Sequence, residues 1–73
     1  MDSTVECHSG SEYAERPLAL RWEGERLTVE TIEGEWSVPG GKRFRVRTEG
    51  GRRFELAYEE RSDEWRVRPL SRP

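Results

Sequence analysis

The stretch "RVRTEGGRRFELAY", residues 45–58, decides the fold class. Arg45 and Arg47 flank Val46 on the way in, and Gly50 and Gly51 mark a turn. Phe54, Leu56 and Tyr58 alternate with Glu55 and Ala57 on the way out. Successive side chains on a strand point to opposite faces, so this period of two assigns the apolar residues to one side and the arginines to the other. Two alternating runs joined by a Gly-rich turn predict a β-hairpin with one face buried and one face basic.

Working outward, the same period recurs on both sides. Leu18, Leu20 and Trp22 alternate from Pro17, "EGE" at 23–25 supplies a turn, and Leu27 and Val29 resume the inward face. The step from Val29 to Ile32 breaks the alternation and calls for a bulge near Glu30 and Thr31, while Glu33–Gly34 reads as a turn into a short strand with Trp36 and Val38 inward. "PGG" at 39–41 is a loop, and Phe44 with Val46 leads into the hairpin. After "EERSDE", Trp65 and Val67 alternate with Arg66 and Arg68 in a last strand that Pro69 ends or leaves on an edge. No segment carries apolar residues at helical spacing. The expected architecture is all-β: a five- to six-stranded antiparallel meander. One flat sheet of that size leaves an apolar face open, which favours curling into a small, half-open, SH3-like barrel. Residues 1–15 are polar and acidic and read as a flexible tail, with residues 16–73 as the single domain.

Seventy-three residues allow one domain and a modest core. That modesty makes a homodimer covering an edge strand or a tryptophan a reasonable expectation. One cysteine cannot form an internal disulfide, and there is no export-type leader, so the expected setting is cytoplasmic. No apolar run approaches the ~20 residues of a membrane span, so no membrane partner is expected. The chain has twelve Arg against one Lys and neither Asn nor Gln, a profile shared by thermophiles and by Arg-rich codon usage.

Enzyme signatures are nearly absent. Cys7 and His8 are adjacent in the tail, where nothing fixes a base against a nucleophile, and two neighbouring ligands fall short of a zinc site. No catalytic residue, metal or cofactor is expected. Charge segregation is the informative feature. Residues 1–40 carry a net −6 and residues 41–73 a net +4. The period of two sets Arg43, Arg45, Arg47 and Arg53 on one outward face, with Arg66 and Arg68 outward on the last strand. Such a face suits docking onto an anionic partner, either an acidic protein surface or nucleic acid. Glu30, Glu49 and Glu55 are placed to pair with the same arginines, which would make a solvated ion-pair surface. The tryptophans at 22, 36 and 65 read as core, with Trp36, beside the irregular segment, the one most open to serving as an exposed anchor or stacking platform.

The set Trp22, Gly24, Val29, Trp36, Val46, Gly50, Gly51, Glu55, Leu56, Tyr58, Trp65 and Val67 follows a W-x-G … W … V-x-x-x-G-G … E-L-x-Y … W-x-V pattern from Pro17 to Leu70. It resembles a family of short, uncharacterised bacterial proteins. The resemblance implies a single β domain of unknown function and attaches a nucleic-acid alternative to DNA replication or repair. It carries over no catalytic residue, and the family's aromatic doublet after the second Trp is replaced here by "SVPGG". The expectation is a non-enzymatic interaction module. Arg43, Arg45, Arg47, Arg53, Arg66, Arg68 and Trp36 would contact an anionic protein partner or a second copy. The alternative is a nucleic-acid-binding small barrel.

Overall fold

In the computed structural model, residues 5–7 and 16–70 are described. They form β1 (Val5–Cys7), β2 (Pro17–Trp22), β3 (Glu25–Val38), β4 (Gly41–Thr48), β5 (Arg53–Glu59) and β6 (Glu64–Pro69). Every strand pairs antiparallel with its neighbour in sequence, in the order β1-β2-β3-β4-β5-β6. The chain is therefore an all-β meander without helices among the described residues, curled into a half-barrel whose open edges are β1 and β6.

Turn chemistry sets the connections. Glu23 (φ 50°) and Gly24 (φ 83°) both take left-handed values, the two-residue turn whose twist matches that of the flanking strands. Pro39 followed by Gly40 at φ 82° makes the β3–β4 turn. At the hairpin tip, the Thr48 amide donates to the Arg52 carbonyl at 2.7 Å and Gly51 N–H to the Thr48 carbonyl at 3.0 Å. Thr48 is itself fully buried, and its hydroxyl donates to the same Arg52 carbonyl at 3.2 Å.

β3 produces the curl. Fourteen residues at ~3.3 Å each would span about 46 Å, whereas the molecule is 31 Å along its longest axis, so the strand must bend. Its first part pairs with β2 (Leu20↔Leu27) and its second with β4 (Ile32↔Val46), and the register shifts twice, between Val29 and Thr31 and between Ile32 and Gly34. The first shift is the expected bulge. The second replaces the turn expected at Glu33–Gly34, because the chain stays hydrogen-bonded to β4 throughout.

Each bulge inverts the alternation downstream of it. Trp36, read as inward, lands opposite Arg43 on the outward face and is 38% exposed; Val38, opposite Gly41, is likewise out of phase with the core. Leu18 is also corrected, being 47% exposed at the start of β2, while Ala19 beside it is fully buried. The core is otherwise the inward set: Leu20, Leu27, Phe44, Val46, Phe54 and Leu56, with Trp22, Val29, Ile32, Trp65 and Val67 packed against them. Its rings meet in tilted contacts, Trp22 with Phe54 and Phe44 with Trp65 at 5.8 Å and Tyr58 with Trp65 at 5.1 Å.

Val5–Cys7 correct the boundary of the segment read as a tail. Val5 pairs with Leu20 and is 2% exposed, adding an apolar side chain to the core that the edge of β2 would otherwise leave open. His8 and the rest of that segment lie outside the described residues.

Candidate functional site

The ladders of β3 to β6 put the arginines on one lattice. One row across the sheet reads Trp36, Arg43, Ala57, Arg66; the next reads Gly34, Arg45, Glu55, Arg68; the third reads Thr31, Arg47, Arg53. All seven residues singled out in the sequence therefore lie on a single outward face. What brings them together is strand pairing: adjacent strands are ~4.8 Å apart and same-face residues ~6.8 Å apart along a strand, so guanidinium groups on their long stems overlap in reach.

The polar contacts divide these cations into two groups. Glu55, its side chain only 12% exposed, stands between β4 and β6 and accepts from Arg43 Nη1 at 3.4 Å and Arg68 Nη2 at 3.1 Å. Arg53 meets Glu33 at 3.3 Å through Nε. Arg47 Nη2 donates to the Thr31 hydroxyl at 3.3 Å, without a carboxylate. Arg45 is set 5.9 Å from the centre of the Trp36 ring. Among the described residues Arg45, Arg47 and Arg66 make no ion pair. Of the glutamates expected to interleave, Glu55 does so; Glu30 and Glu49 pair with none of these six arginines.

Two relationships were not legible in the chain. Glu33 reaches Arg53 only because the second bulge turns its neighbours over, and Gly34 leaves space for the Trp36 ring, whose Cζ3 would be 3.4 Å from any β-carbon added there. Arg47 also sits directly opposite Arg53, a like-charge pair that is unfavourable by itself.

Three groups elsewhere have shifted ionisation. The Arg26 guanidinium holds Glu6 in a two-pronged contact, Nε to Oε2 at 2.8 Å and Nη2 to Oε1 at 2.9 Å, tying β1 to β3 across β2. Those hydrogen bonds lower the Glu6 pKa and raise that of Arg26. Tyr58 donates its hydroxyl proton to Asp63 Oδ1 at 2.6 Å, and that bond, assisted by desolvation and the Asp63 charge, pushes its pKa up to about 12. Among the described residues no three His, Cys, Asp or Glu side chains cluster as metal ligands, and no helix is long and apolar enough to cross a membrane.

Comparison of the chain with protein families, with characterised proteins and with solved structures finds no match.

Proposed function

We propose that the outward face of β3 to β6 is a docking surface for an anionic macromolecule, and that its partner is an acidic protein surface, that of a second copy included. The supporting observation is the set of guanidinium groups at Arg45, Arg47 and Arg66, which have no ion pair among the described residues, around the exposed ring of Trp36. Surface ion pairs contribute only about 0–1 kcal/mol each, so fold stability does not demand this concentration of arginine. An exposed Trp amid arginines is the composition of a binding hot spot. Carboxylates on a partner would be met by guanidinium forks. The chain supplies such carboxylates itself, with Glu23 and Glu25 exposed around the β2–β3 turn. In this reading the protein is a binding module without catalytic activity, working in the cytoplasm, and akin to the short bacterial β proteins its tryptophan and glycine pattern resembles.

A second reading, single-stranded nucleic acid, is favoured by one observation: the Trp36 ring lies over Gly34 and beside Arg45, a platform on which a base can stack while arginines meet phosphates. The two are separated by titrating labelled polyglutamate and labelled oligothymidylate against the protein at rising salt, with light scattering on the free protein. Binding of polyglutamate, or a mass that rises with concentration, supports the first reading if Arg45→Glu with Arg47→Glu abolishes it. Tight binding of the oligonucleotide alone, with a steep salt slope, supports the second. A strict monomer that binds neither probe overturns both. Glu55→Gln, which releases Arg43 and Arg68, is expected to tighten whichever interaction is present.

A further inference from the structure

Beyond the row of Trp36 and Arg43, the next outward row across the sheet is Val38, Gly41, Glu59, Glu64. Gly41 has no side chain and Ala57, in the preceding row, has only a methyl group, while the residues around them are long. The result is a hollow of about 480 Å³ at the end of the sheet, within the ~300–1,000 Å³ typical of small-ligand sites. The floor cannot fill in, since a β-carbon at Gly41 would run into the Tyr58 carbonyl. The rim is fixed too. The Glu60 amide donates to the Gly40 carbonyl at 2.9 Å, joining the β3–β4 turn to the β5–β6 connection and bringing Arg61 to the opening.

Three cations line this hollow from the outward face and the β5–β6 connection, Arg43, Arg61 and Arg66, against one carboxylate, Glu59, which accepts from the Ser62 hydroxyl at 3.0 Å. Arg43 is only loosely held, at 3.4 Å from Glu55, while Lys42 borders the hollow from a position in register with inward Tyr58. Arg61 and Arg66 make no ion pair among the described residues. Val38 and Pro39 give one wall an apolar surface.

We propose that the hollow binds a phosphate monoester carried on a small organic group. Guanidinium forks match phosphate oxygens in pairs, and a dianion with three acceptor oxygens satisfies several cations at once, where a carboxylate has two oxygens and one charge. The apolar wall of Val38 and Pro39 receives the organic part. The hollow adjoins the docking surface and shares Arg43 and Arg66 with it, but Arg61 lies outside that face and Arg45, Arg47 and Arg53 do not line the hollow.

The experiment is an amide-resolved NMR titration at fixed ionic strength with inorganic phosphate, adenosine 5′-monophosphate and adenosine. Saturable shifts centred on Gly40, Gly41, Ala57 and Arg61 are expected with the first two, tighter for the nucleotide, and none with adenosine. Arg61→Ala, which leaves the docking face intact, should weaken binding several-fold, and Arg61→Ala with Arg66→Ala by roughly tenfold or more, as for lost charge-assisted hydrogen bonds. Arg45→Ala with Arg47→Ala, which disables the docking face, should leave it nearly unchanged. Shifts that do not saturate, that spread over all arginines alike, or that respond equally to both double variants overturn the proposal. The docking reading stands or falls separately, on polyglutamate and oligonucleotide binding.

Discussion

The guanidinium of Arg45 lies 5.9 Å from the ring centre of Trp36, on the side of the sheet opposite the core. This is a cation–π contact at the surface, a geometry worth about 0.5–1 kcal/mol when exposed. It means that one of the three tryptophans does not hold the fold together.

Trp36 and Trp65 should accordingly respond in opposite ways to truncation. Trp36→Ala is expected to lower stability by about 1 kcal/mol or less, and to weaken binding at the outward face. Trp65→Ala, which removes a ring packed on both Phe44 and Tyr58, is expected to cost about 2 kcal/mol or more. Urea unfolding of the two variants measures the difference; equal losses would contradict the placement of Trp36.

Gly41→Ala should be among the most damaging small substitutions in the chain. The added carbon meets backbone, the Tyr58 carbonyl, and not the end of a flexible side chain, so β4 and β5 must separate locally. A loss of about 2 kcal/mol corresponds to roughly 10 °C in Tm for a domain of this size. Thermal melts by circular dichroism give the answer.

Tyr58 should ionise late. Its pKa in the folded chain is about 12 against 10.0 ordinarily, because the phenol must stay protonated to donate to Asp63. A group whose folded pKa is raised contributes stability that is complete below the unfolded value and disappears as pH rises through the folded one, here between about 10 and 12. Asp63→Asn removes the charge, and Asn accepts the left-handed backbone at that position (φ 55°) readily. Ultraviolet titration should show the late tyrosine in the parent chain and its return toward 10 in the variant.

Glu6 reports on the docking of β1. Its pKa is lowered, chiefly by the hydrogen bond from Arg26 and further by the charges of Arg26 and Arg21. The contribution of the pair is therefore present above the ordinary value of 4.5 and is lost as pH falls through the lowered folded value. The protection of the Val5 and Cys7 amides, with exchange rates taken relative to the intrinsic rate at each pH, should fall at the acid end and at high salt, which screens an exposed pair. In Glu6→Gln the same amides should already have lower protection at neutral pH, with little further change in protection on acidification.

Much of this architecture can be read from single residues in order. Phe44, Val46, Phe54 and Leu56 keep strict alternation with no bulge between them, so both faces of the hairpin follow from the period alone, and with them the outward positions of Arg43, Arg45, Arg47 and Arg53. Gly24 and Gly50–Gly51 announce their turns because few other residues tolerate positive φ, whereas the left-handed backbone of Glu23 is not marked by its residue type. Trp36, Val38 and Leu18 do not follow from the period. A bulge adds one residue to one strand without leaving a distinctive residue type behind, and a second bulge at Glu33 resembles a turn when only the chain is seen. Val5 was equally illegible, since three residues cannot display a period against a polar background.

The sequence by itself thus determined the class of fold, the hairpin and the segregation of charge, because these depend on alternation and turn chemistry, which are local. The tertiary structure decided which strands became neighbours, and so which charges share a surface. The bend and double bulge of β3 carry Trp36 round to Arg43 and Glu33 to Arg53, and the joining of two turns through Gly40 and Glu60 brings Arg61 beside Arg66. Each depends on backbone pairing between segments distant in the chain, and pairing of that kind is set by how the whole core closes.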